Sequence, residues 1–166
     1  SQSLLKLLPE NFNVTQVYNN NDDLIDKSFD YLKIDAFLAE KLEIDVIYFI
    51  ASYINFSEKL FDIEKIFYSN ILLLKKVSDL YPTAKIIHSS SVSVYEILDI
   101  PITEFSQLNP KNSYGLSKLW AERIVMNHVG GGVNVRISSL FGENMNCNTF
   151  LPLIMRDSIL ENNISL

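Results

Sequence analysis

The sequence predicts an α/β protein built on a doubly wound parallel sheet, and three observations carry that prediction. Short, almost wholly apolar runs of strand length recur along the 166 residues, helix-period stretches lie between them, and the two kinds of segment alternate throughout. A strand with one wet face would alternate apolar and polar residues, whereas uniformly apolar runs mark strands covered on both sides. Alternation of such strands with helices implies right-handed crossovers, and it places ligands beyond the carboxyl ends of the strands.

Each element has its own signal. Gln2–Leu8 has helical periodicity, Val14–Tyr18 is the first strand run, and Asn19–Asp23 is a polar turn. Ala36–Lys41 has helical spacing, Asp45–Ala51 is the second strand run, and Ile63–Leu80 is a long helical stretch. Ala84–Ser89 is the third strand run, with Ser113–His128 as the next helix. Gly130-Gly131-Gly132 stops that helix ahead of the fourth run, Val133–Ile137, and Phe150–Leu160 is a last helical stretch. No repeat, low-complexity tract or linker interrupts the series.

Both ends of the pattern look incomplete. A doubly wound sheet carries its first strand in the middle, with a phosphate-binding glycine turn directly after it. The glycines here, at 115, 130, 131, 132 and 142, form no G-x-G-x-x-G turn between a strand and a helix. Either the chain binds no dinucleotide in the usual way, or its residues begin just after that turn. The second alternative is the expectation: residues 1–166 as a partial dinucleotide-binding domain, lacking the first strand and glycine turn, with any substrate domain largely absent.

Composition excludes several function classes. The net charge is −6 and the pI about 4.9, with no Lys/Arg block, so no electrostatic footprint for nucleic acid or an anionic membrane is visible. Apolar stretches such as Val46–Ala51 and Ile71–Leu74 are far too short to cross a bilayer. Cys147 is the single cysteine, unable to form an internal disulfide, which fits a reducing cytoplasmic setting. His88 and His128 are the only histidines and make no metal-ligand cluster. The first is expected as a core or strand-end residue, the second as a charge partner at a helix C-terminus. Lys75, Lys76 and Asp79 read as a solvated helix face.

The strongest chemical signal is Tyr114-Gly-Leu-Ser-Lys118 at the start of a helical stretch. Residues i and i+4 share a helix face, so the phenol and the ammonium point into the same space. A fixed positive charge favours phenolate over phenol, which suits the pair to general acid/base work. Tyr81-Pro-Thr-Ala-Lys85 matches the same pattern, but it crosses a proline turn into a strand, so its side chains do not line up on a helix. The second signal is His88-Ser-Ser-Ser-Val-Ser-Val-Tyr95, a run of hydroxyls where an active-site loop follows a buried strand. A serine hydroxyl beside a tyrosinate can hold a carbinol or carbonyl oxygen during hydride transfer.

With these motifs in hand, the sequence resembles the extended short-chain dehydrogenases/reductases, the NAD-dependent epimerase/dehydratase family that modifies nucleotide sugars. Ser1-Gln-Ser-Leu-Leu is similar to the residues following the family's glycine turn, and Asn13–Asn19 to its second strand. Asp45–Ser52 is similar to its strand ending in an Ala-Ala pair, and Asn70 to an asparagine of the next helix. Ser89–Tyr95 resembles the serine-rich turn, Asn109–Lys118 the start of the catalytic helix, and Arg136–Gly142 the strand end that reaches the nicotinamide.

The resemblance implies a Rossmann-like fold, NAD or NADP as cofactor and a nucleotide sugar as substrate. It implies that Tyr114 is the acid/base, that Lys118 binds the nicotinamide ribose and favours the tyrosinate, and that Ser91 holds the reacting oxygen. Asn70 would orient the helix carrying it or relay a water toward Lys118. Ala51, Ser52, Ser89 and Ser138 would line the cofactor, and Ser93 and Ser139 would meet the substrate. A homodimer through Ile63–Leu80 and Ser113–His128 is implied as well.

Departures from the family pattern also inform the reading. Family dehydratases place an Asp-Glu pair after the catalytic hydroxyl residue; Val92 and Ser93 stand there, which argues against dehydration. The turn's Tyr-Gly pair is Tyr95-Glu96, and Ser139 replaces an asparagine near the substrate phosphate. Tyr18-Asn19 offers neither acid nor arginine to choose between NAD and NADP. Two readings result: an epimerase or ketoreductase, or a non-catalytic dinucleotide-sensing or protein-interaction module on the same fold.

Overall fold

The chain divides into two compact units, Ser1–Arg136 and Ile137–Leu166. The computed structural model describes residues 7, 12–18, 30–55, 59–96, 99–140 and 155. Apart from Leu7 and Met155, the expected helices Gln2–Leu8 and Phe150–Leu160 lie outside the described residues, as do the turn Asn19–Asp23, Gly142 and Cys147.

Strand β1 (Thr15–Tyr18) pairs in parallel with β2 (Asp30–Lys33), setting Thr15 against Asp30 and Tyr18 against Lys33. Helix α1 (Ile34–Ala39) follows and leads to β3 (Val46–Phe49). A long helical arm comes next: α2 (Leu60–Phe67), a π-helical turn (Tyr68–Leu72) and α3 (Leu73–Leu80). Strand β4 (Lys85–Ser91) runs parallel to β3, with Val46 opposite Lys85 and Phe49 opposite His88. After a 3-10 turn at Val92–Val94, helix α4 (Ser113–Met126) crosses to β5 (Gly132–Ile137), giving a sheet of order β3-β4-β5. Parallel strands with flanking helices make the architecture Rossmann-like, as the sequence predicts.

The structure corrects several details. The described strands form two sheets rather than one, a β1-β2 pair and the three-stranded sheet. Strand β2 was not anticipated, because Asp-Tyr-Leu-Lys carries no apolar run and places only Leu32 inward. The strands are also not buried on both faces: Val46, Tyr48, Val133 and Val135 are exposed, and only β4 is largely enclosed. Apolar composition alone did not reveal that alternation, since its outward positions are apolar too. Finally, α1 begins two residues earlier than the spacing suggested, and the long helix starts at Leu60 and is interrupted by the π turn.

One core serves both sheets. Phe37 of α1, Phe49, Leu74, Val77, Ile86 and Ala121 form its centre, and Leu32 and Ile34 pack against it from the β2 side. Burying each large apolar side chain contributes roughly 1.5–3 kcal/mol. Tyr81, the tyrosine of the competing motif, belongs to this core: its hydroxyl donates to the carbonyls of Phe37 and Glu40, at 3.1 Å each, while Lys85 is exposed on β4. His128 is no surface charge partner but a buried cross-link, with Nε2 donating to the Ala84 carbonyl at 2.7 Å and Nδ1 2.8 Å from the Ser78 hydroxyl. The glycines after α4 also do more than stop a helix. Gly131 takes a φ of +77°, and a Cβ on Gly130 would lie 2.4 Å from the Ala84 carbonyl oxygen. Among the described residues no helix is long and apolar enough to cross a membrane.

Candidate active site

Helix α4 begins where Asn112, in extended conformation, accepts the Gly115 amide on its side chain at 2.8 Å. Such a cap satisfies one of the free amides of the first turn and fixes the start of the helix. The fixed start sets the phase of the helix, and Tyr114, Lys118 and Glu122, four residues apart, are all buried.

Lys118 is only 2% exposed, and its ammonium donates to the Ser89 carbonyl at 2.8 Å, 5.9 Å from the centre of the Tyr114 ring. Burial pushes its pKa down to about 8. The ammonium therefore reaches the end of β4, two residues before Ser91. Ser91 caps the 3-10 turn: its hydroxyl oxygen accepts the Ser93 amide at 3.1 Å and lies 3.1 Å from the Ser93 hydroxyl. Gly115 lets the turn and helix meet, because a Cβ there would sit 2.3 Å from the Ser93 carbonyl oxygen.

Asn70 is buried within the π turn, not on a helix surface. Its Oδ1 accepts the Tyr53 amide at 2.7 Å and the Ser52 hydroxyl at 3.4 Å, while Nδ2 donates to the Tyr53 carbonyl at 3.1 Å and to Ser117 at 2.9 Å. Ser117 in turn donates to the Tyr114 carbonyl at 2.7 Å. The side chain thus joins the loop after β3 to the first turn of α4, an orienting arrangement that leaves its amide little capacity for a water relay. Ala51 is exposed just past β3, and Ser89 donates to the Phe49 carbonyl at 3.4 Å across the strand ends. Ser138 and Ser139 fall in the second unit, where both are exposed; their roles rest on the sequence resemblance alone.

A polar group that sequence reasoning missed lies beneath this junction. Glu122 accepts the Ser90 hydroxyl at 2.6 Å and a two-pronged contact from Arg136, at 2.9 and 2.7 Å. Burial opposes its charge, yet the bonds from Arg136 and Ser90 prevail and hold the carboxyl below its ordinary range. The i+4 spacing after Lys118 was the available signal. His88 is also buried, as expected for a strand-end residue, with Nδ1 2.9 Å from the Asn134 side-chain oxygen and Nε2 without a hydrogen-bond partner among the described residues. Burial lowers its pKa to about 4.

Parallel strands with flanking helices, and a helix whose buried Tyr114 and Lys118 start beside the serine turn that follows β4, make this a Rossmann-like α/β protein. The chain belongs to the NAD dependent epimerase/dehydratase family, whose model matches residues 7–163. No curated protein matches it significantly. Among solved structures, it is similar to UDP-glucuronic acid 4-epimerase from Bacillus cereus in complex with NAD, at 18% identity and a TM-score of 0.73, over 95% of this chain and 58% of that one. It is likewise similar to a dTDP-4-dehydrorhamnose reductase from Clostridium acetobutylicum, at 19% identity and a TM-score of 0.64, over 86% of this chain and 59% of that one. UDP-glucose 4-epimerase from Brucella ovis, in complex with NAD, matches at 24% identity and a TM-score of 0.57, over 72% of this chain and 43% of that one. The chain thus spans less than two thirds of the length of these relatives, and the likeness establishes the fold.

Proposed function

We propose that the protein is a nucleotide-sugar epimerase or ketoreductase in which Ser91, Tyr114 and Lys118 form the acid/base set. The supporting observation is Lys118, a buried ammonium that shares a helix face with Tyr114 and ends on the carbonyl of Ser89, beside Ser91. The residues at this end of the sheet fit a nicotinamide cofactor: Lys118 would offer its further N–H donors to ribose hydroxyls, and Ala51, exposed just past β3, leaves no side chain that would block one. The pyrophosphate-cradling glycine turn is not among the residues of this chain, so the fit concerns the nicotinamide half. Bound there, NAD or NADP would supply the hydride acceptor or donor for the sugar carbon.

The chain's own residues handle the proton. Tyr114 takes it from the sugar hydroxyl as the tyrosinate, holds it as the neutral phenol while the carbonyl stands, and returns it to the carbonyl oxygen, with the Lys118 ammonium beside it on the same helix face. Ser91 holds the same oxygen, which requires its hydroxyl to turn from Ser93 to the substrate; by the family resemblance Ser93, and separately Ser139, would meet the substrate. Asn70 positions Tyr114 through Ser117. Ser52 and Ser89, at the ends of β3 and β4, would line the cofactor, and the family resemblance alone assigns the same role to Ser138. Val92 and Ser93 supply no carboxylate for dehydration.

The proposed assembly is a cytoplasmic homodimer. Helix α4 packs beside α2, the π turn and α3, and the outer faces of these helices leave Phe61, Tyr68, Leu116 and Trp120 exposed. Mixing the whole protein and NAD(P) with UDP- and dTDP-linked hexoses, while following nicotinamide absorbance and sugar products, tests the reading. Turnover of one of them is expected; NAD(P) binding without any conversion would instead support the sensing module.

A further inference from the structure

Beyond the residues assigned to chemistry, Glu122 and Arg136 join four separate segments at one point. Glu122 lies one turn past Lys118 on the same buried face of α4. Its carboxylate holds Ser90, the residue between the Ser89 carbonyl that receives Lys118 and the Ser91 hydroxyl. The guanidinium comes from β5, and its remaining Nη1 donates to the Tyr95 hydroxyl at 2.8 Å and to the Glu104 carbonyl at 3.2 Å. It also stacks 4.8 Å from the centre of the Tyr95 ring. Tyr95 follows directly on the Ser91–Val94 turn and bridges to Leu108.

A buried ion pair is weak evidence for stability, because apolar side chains of similar volume often fill such a site equally well. What the pair supplies is direction: a planar fork fixes the guanidinium relative to the carboxylate, and the free edge fixes Tyr95. We infer that Glu122 and Arg136 are positioning residues that hold the Ser91–Ser93 turn, through Ser90 on one side and Tyr95 on the other, in register with Tyr114. This rests on the Ser91/Tyr114/Lys118 reading. An ångström of misplacement between a proton-transferring phenol and the hydroxyl sharing its substrate oxygen is enough to lower turnover about 100-fold.

Three variants of the whole protein test the inference, assayed with the fastest sugar of the UDP- and dTDP-hexose panel. Tyr95→Phe removes one hydroxyl and leaves the ring, Glu122→Gln keeps the shape and removes the charge, and Tyr114→Phe is the control. The expected result is a five- to tenfold fall in kcat for Tyr95→Phe and a fall above tenfold for Glu122→Gln, with NAD affinity within twofold of the parent. If Glu122→Gln does not fold, Tyr95→Phe decides alone. Parental kcat in Tyr95→Phe and in any folded Glu122→Gln, beside an inactive Tyr114→Phe, overturns the positioning role and spares the acid/base set. An active Tyr114→Phe overturns both.

Discussion

The ammonium of Lys118 ends 2.8 Å from the carbonyl of Ser89, and through that bond the tip of β4 is tied to the helix that carries Tyr114. A charge so enclosed costs stability unless it is paired, and here a neutral carbonyl stands where a carboxylate would pair it. Its presence therefore reads as functional.

That cost is measurable. With a pKa of about 8 in the fold against about 10.5 unfolded, Lys118 disfavours the folded state fully below pH 8, and the penalty is relieved as pH rises toward 10.5. Lys118→Met is expected to raise stability at pH 7 by roughly 1–3 kcal/mol, after allowing for the lost bond, while abolishing turnover. Urea denaturation of the two proteins at pH 7 checks this; a variant less stable than the parent would refute it.

Acid should act through His88. Its pKa of about 4 lies below the ordinary 6.5, so neutral His88 favours the fold above pH 6.5, and that contribution is lost as pH falls toward 4. The loss is on the order of 3 kcal/mol. His88→Gln is expected to flatten the stability profile between pH 6.5 and 4, read from urea midpoints. An unchanged slope would mean that other groups dominate.

Gly115 should tolerate no side chain. An added Cβ meets the Ser93 carbonyl oxygen at 2.3 Å, a contact with backbone rather than with a flexible chain end. Gly115→Ala is expected to cost roughly 1–3 kcal/mol by pushing α4 from the serine turn, and to lower turnover more than cofactor affinity. Calorimetry and steady-state kinetics read the two effects; parental values in both would show that the approach is looser than described.

The part of the candidate site that was legible in the sequence depends on local periodicity. The four-residue spacing of Tyr114 and Lys118 fixed their common face, and the apolar run before Ser89 fixed the strand end that Lys118 meets. What remained hidden depended on long-range pairing. Nothing local marks Ser117, which Asn70 reaches from 47 positions away, or the pairing of Arg136 with Glu122. Strand β2 was missed for a related reason: pairing with β1, not composition, makes Asp30–Lys33 extended.

The central claim is that Tyr114 exchanges the proton as hydride leaves or reaches the sugar carbon. Turnover of the whole protein by Tyr114→Phe, set beside its NAD affinity, tests it most directly. The account predicts a fall in kcat of at least about 100-fold with cofactor affinity essentially unchanged. Parental turnover by the phenylalanine variant would contradict it.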